Sequence, residues 1–211
     1  MTAKERALSN SLAFDQPKEA LRIAEAIEAP WFRSQALSHV GRYWPDEQYE
    51  RILIAAAQAA DSQDEVYKRV AASAWPIRAY LERGNVKPAQ ALLGKYTAAT
   101  NQISNMGSRS EALLLLFQAA KPFSSELWRP VFQALVDASD PSLSWRQGRA
   151  VLYAAKMIVS DDRQLVQGAV QRLSNEKHFR RLKIALDNSQ LKPQLPRQFF
   201  WEQSANDKVS I

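Results

Sequence analysis

Five short segments recur along this chain at near-constant spacing: RSQAL from Arg33, RVAAS from Arg69, RSEAL from Arg109, RQGRA from Arg146 and RLKIA from Arg181. The intervals are 36, 40, 37 and 35 residues. An aromatic residue often stands just before the arginine: Trp31 and Phe32, Tyr67, Trp145, Phe179. The third copy has Gly107 and Ser108 there instead. A second series keeps the same step, since Pro88 to Ser125 and Ser125 to Asp162 are each 37 residues. A unit of this length holds two helices and cannot bury its apolar faces alone, so neighbouring units must stack.

Helical punctuation fills the space between these marks. Asp15 and Pro17 read as the N-cap and first turn of a helix carrying Leu21, Ile23, Ala24 and Ile27. Pro30 opens the next helix, which runs to about Tyr43. Acidic residues begin the helix of DEQYERILIAAAQAAD, and Asp64 is placed to cap a further one ending at Arg83-Gly84-Asn85. Pro76 inside that run is expected to kink or split it, because it frees the Ala72 carbonyl. Continuing to Asn188 gives about ten helices with very short joints, which force neighbours antiparallel. RILIAAAQAA and EALLLLFQAA read as apolar almost all round, so each needs cover on several sides. Glycine is scarce, with 6 residues in 211, which suits helices over sheets.

These repeats resemble the α-solenoid superfamily, between its tetratricopeptide and HEAT-type members, over about residues 15–188. The tetratricopeptide order of Trp, Leu-Gly, Tyr and terminal Pro is absent, and the HEAT positions are partly matched. The resemblance implies a curved stack of helical hairpins and a protein-binding role, with no chemistry. The expected fold is therefore all-α: a right-handed α-solenoid of about five antiparallel hairpins forming one domain over 1–188. A C-terminal tail, 189–211, follows, in which Phe199, Phe200 and Trp201 either cover the last hairpin or dock a partner or a second copy.

Reactive constellations are sparse. Cysteine is absent, which removes disulfides, thiolate zinc sites and thiol nucleophiles. The two histidines, His39 and His178, lie several hairpins apart, so a two-histidine metal site is not expected. Asp46/Glu47, Asp64/Glu65 and Asp161/Asp162 all fall at helix starts, where capping explains them. No cofactor is implied. No stretch of transmembrane or signal-peptide type is legible, so a cytoplasmic protein away from membranes is expected.

Two sets of residues are candidates for binding. The first is the series Arg33, Arg69, Arg109, Arg146 and Arg181. Each guanidinium could bond the end of the preceding helix or a carboxylate of the next repeat. Alternatively the five form a row that receives an acidic peptide or a phosphate backbone. The second set is His39, Arg42, Tyr43 and Trp44, which have no counterparts in the other copies. Of the six tryptophans, Trp31, Trp44, Trp75, Trp128, Trp145 and Trp201, most are expected between repeats.

The leading function is a non-enzymatic module that presents a concave helical surface to a protein or peptide. The alternative is nucleic-acid binding. Size, helical repeats, basic charge and the segment SWRQGRAVL make the chain similar to HEAT-like alkylpurine DNA glycosylases. No Trp-Trp-Asp cluster followed by a second acid is present, so their catalytic carboxylate has no match here. The net charge is +6, and residues 176–211, with 7 basic and 4 acidic side chains, supply half of it. The run KHFRRLK, Lys177 to Lys183, is its densest part.

Overall fold

A computed structural model of the chain describes residues 2–139, 145–173 and 177–188, and every regular element among them is helical. In order they are α1 (Thr2–Leu12), α2 (Pro17–Ala26), α3 (Pro30–Tyr43), α4 (Tyr49–Asp61), α5 (Val66–Glu82) and α6 (Val86–Ala99). A short 3-10 turn (Thr100–Gln102) leads to α7 (Met106–Ala120), α8 (Ser125–Asp137), α9 (Trp145–Ile158), α10 (Arg163–Arg172) and α11 (Lys177–Asp187). The chain packs as two compact units, the first holding α1 to α6 and the second starting at Thr100 and holding α7 to α11.

In the first unit α3 is the central helix, in contact with α1, α2, α4 and α5. Eight consecutive residues, Ser34 to Gly41, are buried. Such a helix has no water-facing side, and its Ser34, Gln35, Ser38 and His39 enter the core with it. Local bonds offset that cost. Ser38 donates to the Ser34 carbonyl (2.7 Å), and Gln35 accepts from Arg6 of α1 (2.7 Å). Gly41 lets α4 close in: a Cβ there would lie 2.5 Å from Leu53 Cδ2.

α5 repeats the arrangement, touching α3, α4 and α6, with Val70 to Ile77 buried without a break. Pro76 sits in this stretch and the helix is not split by it. The lost backbone bond costs about 3 kcal/mol, and burial of Trp75, Ile77 and Tyr80 around it outweighs that. The end of α5 is a Schellman cap. Gly84, at φ 73°, donates to the Leu81 carbonyl (3.0 Å) and Asn85 to that of Tyr80 (2.9 Å).

The second unit follows the same logic. α7 touches α8 and α9, and α9 in turn touches α10 and α11. Nine consecutive residues of α7, Ala112 to Ala120, are buried, as its apolar sequence implies. Phe117 packs edge-on to Trp128 of α8 at 6.2 Å.

Several expectations need correction. α1, which the sequence did not announce, buries the polar Ser9, whose hydroxyl donates to the Ala20 carbonyl (2.9 Å), and Ala13 is buried just past its end. The N-cap of α2 is Gln16, not Asp15, and that of α5 is Glu65, not Asp64; neither side chain bonds the helix. Asp162 does cap α10, accepting from Leu165 (2.9 Å), and Asn105 and Ser124 cap α7 and α8. α4 is not apolar all round: Arg51, Ile54, Gln58 and Asp61 form an exposed stripe along it.

Candidate functional site

The helix starts give the repeated arginines their places. Arg33, Arg69 and Arg109 are each the fourth residue of α3, α5 and α7. The amide of each closes the first turn onto the carbonyl of the residue preceding the helix: Ala29 (3.0 Å), Glu65 (3.0 Å) and Asn105 (2.9 Å). Beyond the arginine the three helices bury equivalent residues. Ser34, Val70 and Ser110 come one residue on, and Ala36, Ala72 and Ala112 come three on. Arg146 is the second residue of α9 and Arg181 the fifth of α11, outside this register.

Two of these guanidiniums turn back to the preceding connection. Arg69 Nη1 donates to the Gln63 carbonyl in the α4–α5 turn (3.2 Å), and Arg109 donates to Asn101 Oδ1. Arg33 lines a surface pocket, and Arg181 is exposed. The side chains of Arg146 and His178, and all of 189–211 with its three aromatics, lie outside the described residues.

His39, Arg42 and Tyr43 gather where α3 meets α5. The His39 ring, 8% exposed, meets Tyr43 edge-on at 5.2 Å, and Phe14 meets Tyr43 on another side at 5.7 Å. Arg42 pairs with Glu82 of α5, whose other oxygen takes Arg78 Nε at 2.6 Å. One carboxylate thus sits between two guanidiniums at the ends of α3 and α5. Arg83 extends the junction by donating to the Arg42 carbonyl (3.4 Å) and lying 4.2 Å over the Tyr49 ring. Asn85 then bridges Tyr49 Oη (3.3 Å) and Glu50 Oε1 (2.7 Å). Tyr80 is buried beside this network, and burial, with Glu50 and Tyr49 close by, pushes its phenol up to about 12.

At the other end of α4 a second junction ties it to α6. Asp61 accepts from Lys95 Nζ (2.8 Å) and from the buried Tyr96 hydroxyl (2.7 Å). Burial, and then this bond, raise the Tyr96 phenol well above the ordinary tyrosine range.

Between α2 and α4, which both pack on α3, a groove opens. Its larger part is about 480 Å³, with Leu37, Trp44 and Ile52 at the base and Leu21, Glu25, Arg51 and Ile54 along the sides. A shallower part of about 250 Å³ continues past Glu25, Leu37, Ala55 and Gln58 to Arg33. The base is apolar and buried, with Leu37 at 2% and Ile52 at 6% exposure, while Ile54 on the wall is 51% exposed. The rim is polar. Trp44, whose Nε1 donates to Asp46 (3.0 Å), closes one end. Arg33 and Trp44 are thus the two candidate residues that the fold brings to one groove. The groove itself was not legible, because its walls come from two helices about thirty residues apart.

Comparison with known families finds no model that matches this chain, and no curated protein and no solved structure matches it either. Among the described residues no group of three or more His, Asp or Glu is arranged to hold a metal ion. No described helix is long and apolar enough to cross a membrane.

Proposed function

We propose that this protein is a helical-repeat interaction module and that the groove between α2 and α4 receives an amphipathic helix of a protein partner. The observation that carries this reading is the pairing of a buried apolar base (Leu37, Ile52) with an exposed apolar wall residue (Ile54) inside a rim of Glu25, Arg33, Arg51 and Gln58. One or two apolar side chains of a helix fill such a base while its flanks meet the charged and amide rim. The shared register of Arg33, Arg69 and Arg109 supports the α-solenoid reading of the chain as helical hairpins such as α2–α3, α4–α5, α8–α9 and α10–α11. In such repeats the space between successive first helices is a natural binding surface.

Selection from a displayed library of amphipathic helical peptides tests the proposal. Enriched peptides should bind the protein and lose at least tenfold in affinity to Ile54→Asp, whose half-exposed position leaves the core intact. Failure to enrich any peptide, or equal binding by Ile54→Asp, would sink it.

A further inference from the structure

The basic helix α11 is charged against its own dipole. Lys177, Arg180 and Arg181 occupy three of its first five positions, its first turn holds no acid, and Asp187 is its last residue. A cation in the first turn of a helix costs about 0.3–1 kcal/mol where an acid would gain as much. The spacings 177/180, 177/181 and 180/183 add like-charge neighbours on one face. Packing does not call for this arrangement, since α11 docks on α9 and α10 through Phe179, Leu182 and Leu186, all buried. Lys177, Arg180, Arg181 and Lys183 are all exposed.

Elsewhere in the same unit four cations are paired with carboxylates. Arg149 pairs with Glu111, Arg172 with Asp137, Lys121 with Asp161 (2.8 Å) and Arg129 with Asp162 (2.7 Å). Among the described residues no carboxylate pairs with any of the four cations of α11. The charge is also unevenly placed along the chain. Residues 1–99 carry 13 basic and 12 acidic side chains, and residues 100–211 carry 15 and 10.

We infer that this face of α11 binds the phosphodiester backbone of a nucleic acid without reading its sequence. Lys177 to Lys183 spans about 9 Å of helix, enough to meet two or three successive phosphates of one strand, whose charges lie about 3.4 Å apart along a duplex axis. A phospholipid surface suits the face less well. The apolar side of α11 is consumed by the core, and among its described side chains Ile184, 59% exposed, is the large apolar one left to enter a bilayer.

Fluorescence anisotropy of the full chain with a labelled 20-base-pair duplex tests this. With two or three phosphates neutralised, affinity should fall roughly 10- to 40-fold between 50 and 200 mM salt. The double variant Arg180→Gln/Arg181→Gln should lower the slope of log K against log salt by about 2, without lowering the melting temperature. Arg180→Lys/Arg181→Lys should keep the slope. No duplex binding at 25 mM salt, or an unchanged slope in the glutamine variant, would overturn the inference. So would binding to phosphatidylserine vesicles that needs these arginines while the duplex is ignored.

Discussion

Two glycines separate close approach from simple helix propensity. At Gly41 an added methyl would meet Leu53 Cγ at 2.9 Å and Cδ2 at 2.5 Å, and Leu53 is fully buried. Gly94 is exposed, in the middle of α6, with nothing within 4 Å. Gly94→Ala is expected to stabilise by about 0.5–1 kcal/mol. Gly41→Ala gains the same propensity but overpacks α3 against α4, for a net loss of about 1–2 kcal/mol. Urea titrations of the two variants should move their midpoints in opposite directions. Tyr80 gives a pH test. Folding favours its neutral phenol, so that stability is present below the ordinary tyrosine range and is lost as pH rises from about 10 towards 12. Tyr80→Phe should remove one late-ionising phenol from the ultraviolet titration and flatten the alkaline loss of melting temperature.

At the scale of elements, the junction of α3 and α5 rests on Glu82 between Arg42 and Arg78, with its side chain 13% exposed. Glu82→Gln leaves two guanidiniums facing each other without the carboxylate, and a loss of about 2 kcal/mol is expected in thermal or urea unfolding. Helix existence was largely legible in the sequence, because Pro17, Pro30 and Gly84 punctuate it and the apolar period is strong in α2, α4 and α8. Burial was less so. α3 hides four polar residues in the core, and α4 hides an exposed face behind a run of alanines, so in the first unit composition pointed to α4 and not α3 as the enclosed helix, whereas α7 in the second unit is enclosed as its sequence implies. α1 escaped notice because it packs through Ser9 and reaches across with Arg6, contacts that a hydrophobic pattern does not record. The repeated arginine was a true marker of helix register for α3, α5 and α7. In α9 and α11 the same letters fall at other positions.

On the scale of the whole molecule, the two units carry different surfaces. The first is nearly neutral and holds the groove; the second holds α11 and its four exposed cations. Because α1 to α6 enclose their own core around α3 and α5, a fragment of residues 1–99 is expected to stay helical and to melt cooperatively. A gradual, featureless melt by circular dichroism would show that the first unit depends on the rest of the chain. A peptide selected on the full chain should bind that fragment as well. The most direct measurement is an amide chemical-shift map of the isotopically labelled protein titrated with such a peptide. Shifts should concentrate on Leu21, Glu25, Ile54, Ala55 and Gln58, along both walls of the groove. Shifts confined to α11, or scattered without reference to α2 and α4, would contradict the assignment of the groove as the docking surface.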